Sequence, residues 1–100
     1  MKPFDFLEPA WDEFVEAISF YNGRRTGLGD EFAEEVYRTI GRILRNPRTW
    51  AKFSRRTRRC RTARFPYAVI YQILPDRILI VAVMHLSRRP GYLRDRLRRN

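Results

Sequence analysis

His85, Ser87, Arg88, Arg89 and Tyr92 follow directly on the most apolar run of the sequence. His85, Arg88, Arg89 and Tyr92 are the types that metal-free cleavage of RNA requires: a group to activate the 2′-hydroxyl, cations for the pentacoordinate phosphate, and a proton donor for the leaving oxygen. In that chemistry His85 serves as acid or base, Arg88 and its neighbours clamp the phosphate, and Tyr92 is a stacking platform or second proton handle. Arg58 and Arg61 would join them from a neighbouring strand. The structural reading stands beside this one: a histidine at a strand end is commonly a hydrogen-bonded fixture, and Arg88-Arg89 can cap the sheet or pair with Asp95. A third use needs no bond-breaking, because Arg58, Arg61, Arg88, Arg89, Arg94 and Arg96 suit contact with a polyanion.

Two apolar strands, Tyr67 to Leu74 and Ile78 to His85, must position these groups. Val, Ile and Tyr dominate both, and such side chains fit a pleated, buried surface. Pro75-Asp76-Arg77 between them is turn chemistry, so the pair reads as a hairpin. Both runs are apolar at nearly every position, which predicts a central place in the sheet or cover on both faces.

Charge is distributed unevenly. Residues 1–50 carry 7 Lys/Arg against 9 Asp/Glu, whereas residues 51–100 carry 14 against 2. The second half therefore holds the whole net charge of +10. Nearly all of it is arginine, whose planar fork matches phosphate bidentately, so a polyanionic partner is expected. Cys60 is the single cysteine, which excludes an internal disulfide and a thiolate metal cluster and fits a reducing cytoplasm. No cofactor is expected, since Gly27-Leu28-Gly29 lacks the third glycine and preceding strand of a dinucleotide fingerprint. Ile78 to Met84 is far too short to span a membrane, and the start MKPFDFLEP has no apolar core of a signal peptide.

One hundred residues supply one core and one domain. Lys2 to Leu7 alternates as a short strand. Pro9 opens a helix with Trp11, Phe14, Val15, Ile18 and Tyr21 on its apolar stripe, stopping near Asn22-Gly23. A second helix runs from Asp30, with Phe32, Val36, Ile40, Ile43 and Leu44 inward, acids early and arginines late, to Asn46-Pro47. Arg48 to Arg56 reads as a loop anchored by Trp50 and Phe53, Arg56 to Ala63 as an antiparallel strand with an arginine-rich side, and Tyr92 onward as a short basic tail. The predicted fold is α+β: an antiparallel sheet in the order β-α-α-β-β-β, with a helical hairpin on one face and the other face left for solvent or a partner.

PAWDEFVEAISFY, GLGDEFAEEVYRTIGRILRNPRTW, RFPYAVIYQI and ILIVAVMHLSRRPGYLRDR together cover nearly the whole chain. In this order they resemble the RelE/ParE superfamily, toxins of bacterial type II toxin–antitoxin pairs, and are most similar to the ParE-like branch. Leu93 departs from the pattern, which often has a second aromatic there. The resemblance implies a small cytoplasmic toxin neutralised by a cognate antitoxin. Its target is DNA gyrase by ParE-like analogy, or messenger RNA on the ribosome by RelE-like analogy, with His85, Arg88 and Tyr92 catalytic only in the second case. It also admits a member that has lost toxicity and serves as a basic binding module. An antitoxin segment, apolar with acidic flanks, is expected across the open sheet face or along its edge.

Overall fold

The computed structural model describes residues 2–93 and 96–97. Strand β1 (Phe4–Phe6) leads into helices α1 (Glu8–Arg24) and α2 (Leu28–Arg45), then strands β2 (Ala51–Ser54), β3 (Thr57–Arg61), β4 (Tyr67–Ile73) and β5 (Ile78–His85), and a 3-10 turn at Pro90–Leu93. The sheet order is β1-β5-β4-β3-β2. Strands β2 to β5 form an antiparallel meander, and β1 lies parallel to β5 with Phe4 opposite Ile78. The sheet is thus mostly antiparallel, with its first strand the exception: the chain returns to β5 only after both helices and three strands.

The apolar hairpin occupies the position its composition predicts. Ile78 to Met84 are all buried, and β5 lies between β1 and β4. On one face Val69, Tyr71, Ile78, Ile80 and Val83 meet Phe14, Phe32, Val36, Ile40 and Ile43 of the helices. Phe32 is fully enclosed, its ring within 6.1 Å of those of Phe14, Tyr21, Phe65 and Tyr67. The Tyr71 hydroxyl donates to the Pro47 carbonyl at the end of α2, and burial, offset in part by Arg58, pushes its pKa up to about 12.

Three sequence expectations are corrected. The interior stripe of α1 is Ala10, Phe14 and Ala17, while Trp11 and Val15 are each 45% exposed. Small residues face the sheet because they let the helix lie close to it, a preference that side-chain hydrophobicity alone does not report. Gly23 lies inside α1, and the left-handed residue is Gly27, with φ of 87°, at the start of α2. Two residues on, a Cβ at Gly29 would come within 2.1 Å of the Ile18 carbonyl oxygen, so only glycine permits the helices to cross there. Finally, Ala51–Ser54 within the expected loop is a strand. It is a four-residue edge, irregular at Phe53 and paired on one side only, too short to show alternation.

The second sheet face is not bare. Ala68, Ile70, Leu79, Val81, Ala82 and Met84 are buried there, covered in part by Leu93 and Leu97 from the chain's own end. Leu93 retains the apolar packing role that an aromatic would otherwise fill, at 9% exposure.

Candidate functional site: the end of β5 and the C-terminal turn

β1 is short because Leu7 already leads into Pro9 and α1, and its edge of β5 closes with the Leu7 amide donating to Ile80 O at 2.8 Å. β5 then carries one extra residue relative to β4: Ile80 faces Tyr71 while Ala82 faces Ile70, so Val81 is unopposed. Such a bulge leaves backbone groups without ladder partners. Side chains take them up. The Val83 amide donates to Glu13 Oε1 at 3.1 Å, and the Val81 carbonyl accepts from Arg96 Nη1 at 3.0 Å.

Glu13 also accepts from Arg96 Nη1 at 3.0 Å, from Arg96 Nη2 at 3.1 Å and from the Tyr92 hydroxyl at 2.6 Å. The Glu13 and Arg96 side chains are each only 14% exposed. Burial pulls the Arg96 pKa down, but the Glu13 bonds and Tyr92 outweigh it and hold it above its ordinary value. The bond to Glu13, together with burial, raises the Tyr92 hydroxyl as well. One carboxylate on α1 therefore fastens the C-terminal turn to the open stretch of β5.

The turn holds Arg88 and Tyr92. The guanidinium carbons of Arg88 and Arg96 stand 5.0 and 5.3 Å from the Tyr92 ring centroid. His85 rests edge-on against Tyr67, 5.1 Å between centroids. Its Nδ1 accepts from the Ser87 amide at 3.1 Å and lies 2.8 Å from Ser87 Oγ. An amide can only donate, so Nδ1 is unprotonated and the neutral ring carries its hydrogen on Nε2. A cleft of about 260 Å³ opens here between Glu13 and Glu16 on α1 and Tyr67, His85, Arg88 and Tyr92.

His85, Arg88, Tyr92 and Arg96 are thus brought together, whereas Arg58 and Arg61 are not part of the group. Arg61 pairs with Ala68, at the same end of the sheet as His85 but on the opposite face, and Arg58 pairs with Tyr71 toward the other end. Arg58 Nη1 donates to the carbonyls of Arg48 and Trp50 at 3.0 and 2.7 Å. Arg89 is exposed beside Ser87 and Gly91. Arg94 and Asp95 lie outside the described residues.

Self-neutralisation is partial. Arg64 pairs with Glu31, Arg77 with Asp5 and Asp76, and Arg96 with Glu13. Arg55, Arg56, Arg59, Arg61, Arg88 and Arg89 have no acidic partner among the described residues.

Two helix acids, absent from the sequence-derived candidates, prove structural. Glu13 sits three residues after Ala10 and four before Ala17, on the face that α1 turns to the sheet; reading the alanines as the contact stripe would have found it. Glu35, 5% exposed, accepts from the Ala63 amide and the Thr39 hydroxyl and pairs with Arg38 and Arg42. It ties α2 to the β3–β4 connection.

The site is thus a basic turn fastened to one end of a small, mostly antiparallel sheet that is backed by a helical hairpin. A family model described as the ParE toxin of the type II toxin–antitoxin system parDE matches residues 5–90, and the chain belongs to that family. It is the toxin component of a type II toxin–antitoxin system, ParE-like, and a cognate antitoxin is its partner. A chain from the chromosomal ParDE toxin–antitoxin system of P. aeruginosa superposes with a TM-score of 0.75 at 10% identity, covering 85% of this chain and 96% of that one. At that identity the likeness is one of fold. No curated protein matches the chain. No helix among the described residues is long and apolar enough to cross a membrane.

Proposed function

We propose that this toxin arrests growth in the bacterial cytoplasm by engaging DNA gyrase through its basic surface, without cutting RNA. The observation that carries this reading is the state of His85. Its Nδ1 is taken by Ser87, and its Nε2 bears the proton, so no ring nitrogen is available as a base toward the cleft. Tyr92 donates to Glu13, and Arg96 is paired with it. Arg88 and Arg89 remain for an external partner. His85→Gln is therefore expected to leave growth arrest intact, with no transcript cleavage by either protein, and purified wild type is expected to inhibit gyrase supercoiling. Cleavage by wild type that disappears in His85→Gln would establish the ribonuclease reading instead.

The antitoxin is best accommodated on the sheet face away from the helices. A groove of about 650 Å³ there has Val81 as floor, Leu93 and Leu97 as wall, and Phe53, Arg55 and Arg56 at its rim. An apolar segment with acidic flanks matches that lining, and β2 offers a free strand edge beside it. Arg55→Glu, facing those flanks with the wrong sign, is expected to weaken antitoxin binding by about tenfold or more. Unchanged affinity in that variant would place the antitoxin elsewhere.

A further inference from the structure

A second basic concavity, of about 150 Å³, lies where the end of α2 meets β2, β3 and β4. Arg48, Lys52, Arg56 and Arg58 line it with Thr57 and Tyr71, and no lining residue is acidic. The register forces this accumulation. Lys52 on β2 stands directly opposite Arg58 on β3, and like charges at opposed positions of an antiparallel pair destabilise it. Arg58 cannot relieve the repulsion by swinging into water, because the Arg48 and Trp50 carbonyls hold its Nη1. Arg48, Lys52 and Arg56 have no acidic partner among the described residues. A bound anion would turn this repulsive arrangement into an attractive one.

We infer that this pocket holds one phosphate group of a nucleic-acid backbone. Its volume is that of roughly five waters of liquid, enough for a tetrahedral oxyanion and too small for a nucleoside. Guanidinium forks match such an oxyanion bidentately, and the pocket presents three of them beside one ammonium. A carboxylate would leave several of those donors without an acceptor. On the other face of β3, Arg59 and Arg61 are exposed, so the β2 edge carries cations on both sides, as a surface that follows a phosphate backbone would. The assignment is independent of the His85 cluster and of gyrase being the target.

The test uses the full-length free toxin and a labelled short DNA duplex over a range of salt. Lys52→Gln with Arg56→Gln removes two exposed cations from the pocket and spares Arg58, whose loss would loosen the Arg48–Trp50 segment. Arg24→Gln with Arg25→Gln, at the helical turn, removes the same charge elsewhere. The pocket variant is expected to bind about tenfold or more weakly, with the slope of log affinity against log salt reduced by about two, while the control stays near the parent. Inorganic phosphate is expected to shift the Thr57 and Arg58 amide resonances saturably in the parent and not in the pocket variant. Equal losses in both variants would overturn the pocket while leaving general polyanion binding in place. Phosphate binding that the pocket variant abolishes without weakening DNA would reduce it to a free-phosphate site, and overturn the nucleic-acid assignment. Competition by polyglutamate as effective as by DNA of equal charge would overturn it in favour of an acidic protein.

Discussion

Glu13→Ala is expected to lower stability by about 2–3 kcal/mol and to weaken toxicity, because one side chain fastens the C-terminal turn to the sheet. The Val83 amide would lose its acceptor in the middle of a strand, where it cannot move to find another. Arg96 and Tyr92 would lose theirs as well, but they belong to the end of the chain and can turn toward water. The cost is therefore set below the 3–5 kcal/mol typical of breaking a buried ion pair. In a chain of this size the melting temperature should fall on the order of 8–24 °C. Arg96→Ala should cost less, since Glu13 keeps Val83 and Tyr92. Thermal and urea melts of the two variants check the ranking; two melts indistinguishable from the parent would show that the turn is not fastened in this way. Toxicity should fall with Glu13→Ala because Arg88 and Tyr92 then lose their fixed placement beside His85.

Glu35→Ala should be costlier, about 3–4 kcal/mol, by the same physics with less room to relax. The carboxylate is 5% exposed, and its partners belong to elements that cannot leave: Thr39 and Arg42 to α2, and the Ala63 amide to the β3–β4 connection. Arg42 also donates to Thr39 Oγ1 at 3.0 Å and to Arg61 O, so its guanidinium would remain among these groups without a counter-charge. Glu35→Gln keeps an acceptor for the Ala63 amide and should recover part of the loss. Urea unfolding of both variants gives the comparison, and a Glu35→Ala midpoint equal to that of the parent would contradict the role.

The hairpin, the inward stripe of α2, the anchoring of Trp50 and the arginine-rich side of β3 were legible because each follows from a period, a turn or a charge along one segment. Trp50 Nε1, for example, donates to Arg42 O. What stayed hidden depends on segments meeting. The contact face of α1 is chosen by how closely a helix can approach the sheet, which favours Ala10 and Ala17 over the larger Trp11 and Val15. Glu13 gains its role only because β1 ends early and β5 bulges at Val81. Edge strand β2 is defined by its neighbour more than by its own four residues. At the site, the sequence gathers His85, Arg88 and Tyr92 correctly in space, but it conceals that Ser87 and Glu13 already hold two of them. The division of charge also survives in the structure: acids of the first half fasten particular arginines, and several others are left facing outward.

Inducing the toxin in growing cells, with and without its cognate antitoxin, and then trapping covalent gyrase–DNA adducts while mapping transcript ends, tests the central claim most directly. The account predicts gyrase-linked DNA breaks that accumulate only without the antitoxin, with intact transcripts. Newly cut messenger RNA in the absence of gyrase adducts would contradict it.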